Sequence, residues 1–143
     1  MKSLILLLLI SSTTCFSQII DSTETIKTLK KGKWVLESKD PNTFTDKEIT
    51  KVKINFKKYG VATFQFQKKE TSFKIKGSYE VNSYNSDTID IYLHASNDEW
   101  YIIQSNFIVI SLNKNNVDLK TDYVKGHPNY QASLKRKRLL THR

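Results

Sequence analysis

The sequence predicts an all-β fold: an eight-stranded antiparallel up-and-down β-barrel preceded by one short helix. Three observations carry the prediction. Apolar and polar residues alternate with period two through most of the chain, and the apolar members are mainly Val, Ile, Phe and Tyr, which suit a pleated surface buried on one side. The breaks between these runs are short, as hairpin connections are. The inward positions are bulky throughout, and closing eight such strands into a barrel removes both unpaired edges. A two-sheet sandwich is the alternative arrangement of the same strands.

Taken in order, Asp21-Ser22-Thr23-Glu24 has the form of a capping box, with Ile26 and Leu29 on one face of a helix that ends before Gly32. Trp34 opens the first strand. In the next, Val52, Ile54 and Phe56 point inward while Lys51, Lys53, Asn55 and Lys57 point to solvent. Lys58-Tyr59-Gly60 then supplies a hairpin turn in which Gly60 can take a positive φ, and Ala62, Phe64 and Phe66 resume the buried face. Residues 71 to 81 place Phe73, Ile75, Gly77, Tyr79 and Val81 inward, with Gly77 expected to mark a bend or bulge. Ile89, Ile91 and Leu93 follow. Trp100, Ile102, Ile108, Ile110 and Leu112 share one phase, which predicts one long inward-facing strand or two short ones split near Ser105-Asn106. After the turn at Asn113 to Asn116 come Val117, Leu119, Thr121 and Tyr123, then a loop with Gly126-His127-Pro128-Asn129, then Tyr130, Ala132 and Leu134.

The chain has 143 residues, room for one ordinary domain. Met1-Lys2-Ser3, the apolar run 4–10 and the small-residue stretch up to Ser17 read as a secretory signal peptide, so the expected product is exported, periplasmic or secreted. The run is too short to span a bilayer, and no transmembrane segment is expected. The expected divisions are 1–17 signal peptide, 18–31 helix and lead-in, 32–138 barrel and 139–143 basic tail. A second reading cuts before Cys15 and anchors the chain through a lipid on its sulfur. Ser12-Thr13-Thr14 depart from the Leu-first, Gly- or Ala-last lipobox that such cleavage prefers. Cys15 is the only cysteine, so removal of 1–17 leaves neither a disulfide nor a thiol nucleophile.

Gly32-Lys33-Trp34 after the helix, with Arg136 in the inward phase of the last strand, resembles the lipocalin and wider calycin pattern. The resemblance is to the small lipocalin-like domains exported by bacteria. In that superfamily a Gly-x-Trp on the first strand closes the barrel floor, and its Trp packs against an Arg or Lys of the last strand. By this resemblance Gly32, Trp34 and Arg136 form a structural floor, with Arg136 stacked on the indole. The number of strands agrees, since an even count makes the first and last strands antiparallel neighbours. The cysteine pair that many members carry is missing.

The function expected is binding, not catalysis. Phe64, Phe66, Phe73, Ile75, Tyr79 and Ile91 would line an interior that holds a small apolar molecule, unless they are ordinary core. The alternative is a protein-interaction or inhibitor module with a filled barrel. It would act through the loops Asn42 to Lys47 and His127 to Tyr130 and through Tyr84 and Tyr92. His94, His127 and His142 are scattered, so no metal is expected, and no nucleophile elbow or phosphate-cradling loop is present. Asp90 and His94 share the outer face of one strand but stand too far apart for a direct bond. No cofactor is expected, and a monomer is. The net charge of +9 suits acidic surfaces as well as solvated lysines. Nucleic acid is not expected, because the aromatics fall mostly in the buried phase.

Overall fold

A computed structural model describes residues 20–85, 88–121 and 129–138, with the backbone alone at 84 and 85. The signal-peptide segment with Cys15, the side chain of Tyr84, His127 and its neighbours to Pro128, and the tail 139–143 with His142 lie outside the described residues. One helix, α1 (Ser22–Leu29), precedes eight strands. These are β1 (Lys33–Ser38), β2 (Lys51–Phe56), β3 (Val61–Gln67), β4 (Ser72–Asn85), β5 (Thr88–Ser96), β6 (Tyr101–Leu112), β7 (Asn116–Thr121) and β8 (Gln131–Arg136). Each strand pairs antiparallel with the next, and β8 pairs back to β1, so the sheet closes into a barrel in simple meander order. The two-sheet alternative is thereby excluded.

The meander gives the barrel two ends. α1, the turn between β2 and β3, the turn between β6 and β7 and the end of β8 gather at one, called here the closed end. The long β1–β2 loop and the β3–β4 and β5–β6 turns gather at the other, the mouth. α1 begins as the capping box implies, with Asp21 Oδ1 accepting the Glu24 N–H at 2.7 Å. Its buried face is Thr25, Thr28 and Leu29, while Ile26 is half-buried. The Thr25 hydroxyl donates to the Asp21 carbonyl at 2.8 Å, which allows a polar residue to lie inward.

The inward residues of β1, β2, β3, β5, β7 and β8 are those of the period-two pattern. Trp34, Leu36, Val52, Ile54, Phe56, Phe64, Phe66, Ile91, Leu93, Val117 and Leu134 are all buried. Gly77 carries no register shift; it lies where β4 stops pairing with β3 and starts pairing with β5. A Cβ there would stand 2.3 Å from the His94 carbonyl oxygen and 2.7 Å from the Phe64 ring, so the barrel wall closes only around a glycine.

β6 differs from its expected phase. It is one continuous strand, but register shifts against both neighbours, at Ala95/Ser96 and at Val109/Ser111, each flip its side chains to the other face. Ile102 and Ile103 are both buried, the inward set continues as Phe107 and Val109, and Leu112 is inward again after the second shift. Trp100 and Ile110, expected inward, are exposed, and Ile108 is half-buried. A bulge is set by pairing with neighbouring strands, so one strand's own alternation does not reveal it.

Candidate functional site

The three residues the Gly-x-Trp pattern singled out lie together at the closed end. Trp34 and Arg136 are direct partners in the β1–β8 register. Trp34 is fully buried and its Nε1–H donates to the Leu29 carbonyl at 2.8 Å, satisfying one of the carbonyls orphaned at the end of α1. The Arg136 guanidinium lies over Gly32, donates from Nη2 to the Lys31 carbonyl at 2.5 Å and reaches the Lys114 carbonyl from Nη1 at 3.5 Å. A Cβ on Gly32 would meet Arg136 Nε at 2.7 Å. These bonds from an ionised donor to backbone carbonyls are charge-assisted.

The six side chains expected to line a ligand chamber separate into two groups. Phe64, Phe66 and Ile91 have no exposed surface, and Tyr79 is 4% exposed. Phe64 and Phe66 stack at 5.9 Å, and Phe66 stacks on Phe73 at 5.3 Å. A void large enough for water would leave accessible surface on the side chains around it, and Phe64, Phe66 and Ile91 have none. Tyr79 packs edge-on against Phe56 at 4.9 Å and donates its hydroxyl to the Lys57 carbonyl at 2.7 Å, bracing the β2–β3 turn from inside. Burial pushes the Tyr79 phenol above its ordinary pKa. Phe73 and Ile75 are only partly buried, because β4 above Ser78 is no longer paired with β5 and its inner face looks onto the mouth.

The loop 39–50 crosses that mouth. Phe44 bridges to Ile103 on the far wall, the Thr45 N–H donates to the Ile102 carbonyl at 3.1 Å, and the Phe44 ring stands edge-on to Phe66 at 6.3 Å. Thr43 is buried and bonded to the Ser38 hydroxyl at 2.6 Å; Ile49 is buried as well. Lys68 of the β3–β4 turn binds Asp46 at 2.5 Å and Glu48 at 3.5 Å, tying the loop to the hairpin beside it. The hydrogen bond from Lys68 holds the Asp46 carboxyl below its ordinary pKa, and the same bond raises that of Lys68. Lys47 turns back onto the Pro41 carbonyl, so much of the segment Asn42 to Lys47 is engaged within the molecule.

Outside, β5 and β6 carry a strip of rings. Tyr92 and His94 lie nearly parallel with centroids 6.4 Å apart, and Tyr101 meets His94 edge-on at 5.2 Å. Trp100, beside them in the β5–β6 turn, is 60% exposed and Tyr101 is 52% exposed. Tyr92 was legible as a contact residue; the others were not, because Trp100 was read as inward. On the same face Asp90 is buried, with Oδ2 accepting from Asn106 Nδ2 at 2.9 Å and Oδ1 without a partner. Among the described residues no group of three His, Cys, Asp or Glu could hold a metal ion, and no helix is long and apolar enough to cross a membrane. Compared with protein-family models, with curated proteins and with solved structures, the chain matches none.

Proposed function

We propose that this protein is a non-catalytic binding module that uses its barrel as a rigid scaffold and makes its contacts through the outer β5–β6 strip of Tyr92, His94, Trp100 and Tyr101. The observation that carries this reading is the contrast between a filled interior around Phe64, Phe66 and Ile91 and, outside, exposed Trp100 and Tyr101, the latter in contact through His94 with half-buried Tyr92. Exposed Trp and Tyr on a rigid surface lose little side-chain entropy on contact, which is why they dominate many protein interfaces. The partner class is another protein. Export, as the N-terminal segment 1–17 suggests, would place that partner outside the cytoplasm.

The test is site-specific photocrosslinking in the native host, with the photoreactive side chain at Trp100 and, as a control, at Lys120 on β7. A discrete adduct at position 100 that is missing at 120 and lost in Tyr92→Ala/Tyr101→Ala supports the reading. Equal labelling at both positions overturns it.

A second reading, a small apolar ligand held at the mouth, is favoured by one observation. Phe73 and Ile75 face the interior yet remain partly exposed beneath the loop 39–50. Native mass spectrometry of the host-purified protein separates the two. A mass excess lost on denaturation supports the carrier, and a bare polypeptide mass supports the scaffold.

A further inference from the structure

The lysines are distributed unevenly over the barrel. β1 to β4 and β8 form one wall, and across it the paired outward positions read Lys33 beside Asn55 beside Thr63 beside Lys76, then Lys135 beside Val35 beside Lys53 beside Gln65 beside Lys74. Lys33, Lys53, Lys57, Lys74 and Lys137 surround one shallow concavity next to the closed end. A second concavity on that end is rimmed by Lys30, Lys31, Lys33, Arg136, Lys137 and Arg138. On this wall the outward acids are Glu37, engaged by Lys135 at 2.7 Å, and Glu80 on β4. At the closed end the described acidic residues are Asp21 and Glu24 at the start of α1, Glu80 on β4 level with the β2–β3 turn, and Asp118 near the start of β7. The mouth loops hold Asp40, Asp46, Glu48, Glu70, Asp98 and Glu99 against Lys39, Lys47, Lys68 and Lys69, so carboxylates outnumber lysines there. The molecule therefore has a cationic end and an end rich in carboxylates, an arrangement that orients it in the field of an anionic surface.

A second observation lies at the same end. Tyr59, at the tip of the β2–β3 turn, is 97% exposed and is flanked by Lys57 and Lys58. Its φ is 59°, the left-handed region, where a non-glycine residue is strained and Asn or Gly is the usual occupant. The ring touches nothing that repays that strain within the molecule. The turn is nevertheless held firmly: Lys57 N–H donates to the Val61 carbonyl at 2.8 Å, and Tyr79 binds the Lys57 carbonyl from below.

We propose that the closed end and the adjoining β1–β4 wall dock on an anionic lipid membrane surface, with the lysines over the headgroups and Tyr59 at the water–lipid boundary. Lysine ammoniums act as point charges toward phosphate, and each one near an anionic bilayer contributes to attraction. An amphipathic phenol on a protruding turn suits the interface, where one end of the ring is apolar and the other wet. Single-stranded nucleic acid fits the face less well, since the outward positions between the lysines are Asn55, Thr63 and Gln65 and leave Tyr59 as a lone exposed ring instead of a row on which successive bases stack. The aromatic β5–β6 strip lies on other strands, so a protein contact there and a membrane contact here do not compete.

The test is vesicle sedimentation of the host-purified protein at low and physiological salt. Phosphatidylcholine vesicles are compared with vesicles containing about one third phosphatidylglycerol. Binding to the anionic vesicles alone, weakened by salt, is expected. Lys33→Gln/Lys53→Gln/Lys74→Gln should lower the affinity on the order of 100-fold, at about fivefold per lysine. A control with the same loss of charge elsewhere, Lys39→Gln/Lys69→Gln/Lys120→Gln, should change it far less. Tyr59→Asn keeps every lysine and relieves the turn, so its melting temperature should equal or exceed wild type while vesicle binding falls several-fold. Equal losses for the two triple variants, Tyr59→Asn binding like wild type, or no sedimentation with anionic vesicles each overturn the proposal. So does tighter binding to a single-stranded oligonucleotide than to vesicles at the same salt, which would assign the face to nucleic acid.

Discussion

Replacing Trp34 by Ala tests the barrel floor most directly. The side chain is fully buried on β1, opposite Arg136, and joins the strand to α1 through its bond to the Leu29 carbonyl. A buried indole hides roughly 150 to 250 Å², and at about 25 cal/mol per Å² most of that is lost on truncation. Cavity formation in such replacements gives about 3 to 5 kcal/mol, and a buried carbonyl left without its donor adds about 1 kcal/mol or more. The expected loss is therefore about 4 to 6 kcal/mol, a large part of the roughly 5 to 15 kcal/mol that stabilises a small domain. Equilibrium urea unfolding followed by far-ultraviolet circular dichroism reads this without depending on the removed fluorophore. Trp34→Phe refills most of the volume but leaves the Leu29 carbonyl bare, and should cost about 1 to 3 kcal/mol. A loss below about 1 kcal/mol for Trp34→Ala, at unchanged denaturant slope, would refute the reasoning.

Further expectations follow from single contacts. Gly77→Ala must displace the His94 carbonyl and the Phe64 ring, so it should cost about 3 kcal/mol or more in the same urea assay. Gly32→Ala meets only the Arg136 side chain and should cost less. Because Asp46 is held below its ordinary pKa of 3.8, the tie to Lys68 is complete above that value and is lost as the pH falls through the lower, folded value. Lys68, raised above its ordinary 10.5, keeps its side of the pair until the pH rises beyond that. Amide protection in 39–50, taken relative to the intrinsic exchange rate at each pH, should therefore fall as the pH drops below 3.8 in wild type, and Lys68→Met should show the lower protection already at neutral pH. Tyr79 should ionise later than an exposed tyrosine in an ultraviolet alkaline titration, and stability should fall as the pH passes its raised folded value above 10.0. Iodide should quench the fluorescence of Trp100 and spare that of Trp34, so Trp100→Phe should leave a blue-shifted, nearly unquenchable emission.

Much of the barrel was legible because its determinants are local. Period-two alternation identified the buried faces of β2, β3 and β5, and the Gly-x-Trp resemblance, with the even strand count in support, put Trp34 beside Arg136 before any contact was known. Gly60 was recognised as a turn glycine, and its φ is 70°. Tyr59, also left-handed, was not anticipated, since no composition rule puts a tyrosine there. The phase of β6 was misread for a different reason. Its two register shifts exist only relative to β5 and β7, so a pattern within one strand carries no record of them.

The candidate sites depended still more on tertiary structure. Alternation makes Phe64, Phe66 and Ile91 inward whether the barrel is hollow or full, and only the packed rings and their zero exposure distinguish the two. The loop 39–50 has no periodicity, so its passage over the mouth to Ile103 was invisible until the far wall stood in place to receive Phe44. Lys51 and Lys53 of β2 were identified as outward facing, but the gathering of lysines from several strands on one wall comes from strand register and closure. The sequence by itself thus determined which side of each regular strand meets water, because that choice is made by neighbouring residues along the chain. What fills the interior, what covers it and which charges stand together were decided by the closed sheet, because those are relations between residues far apart in sequence.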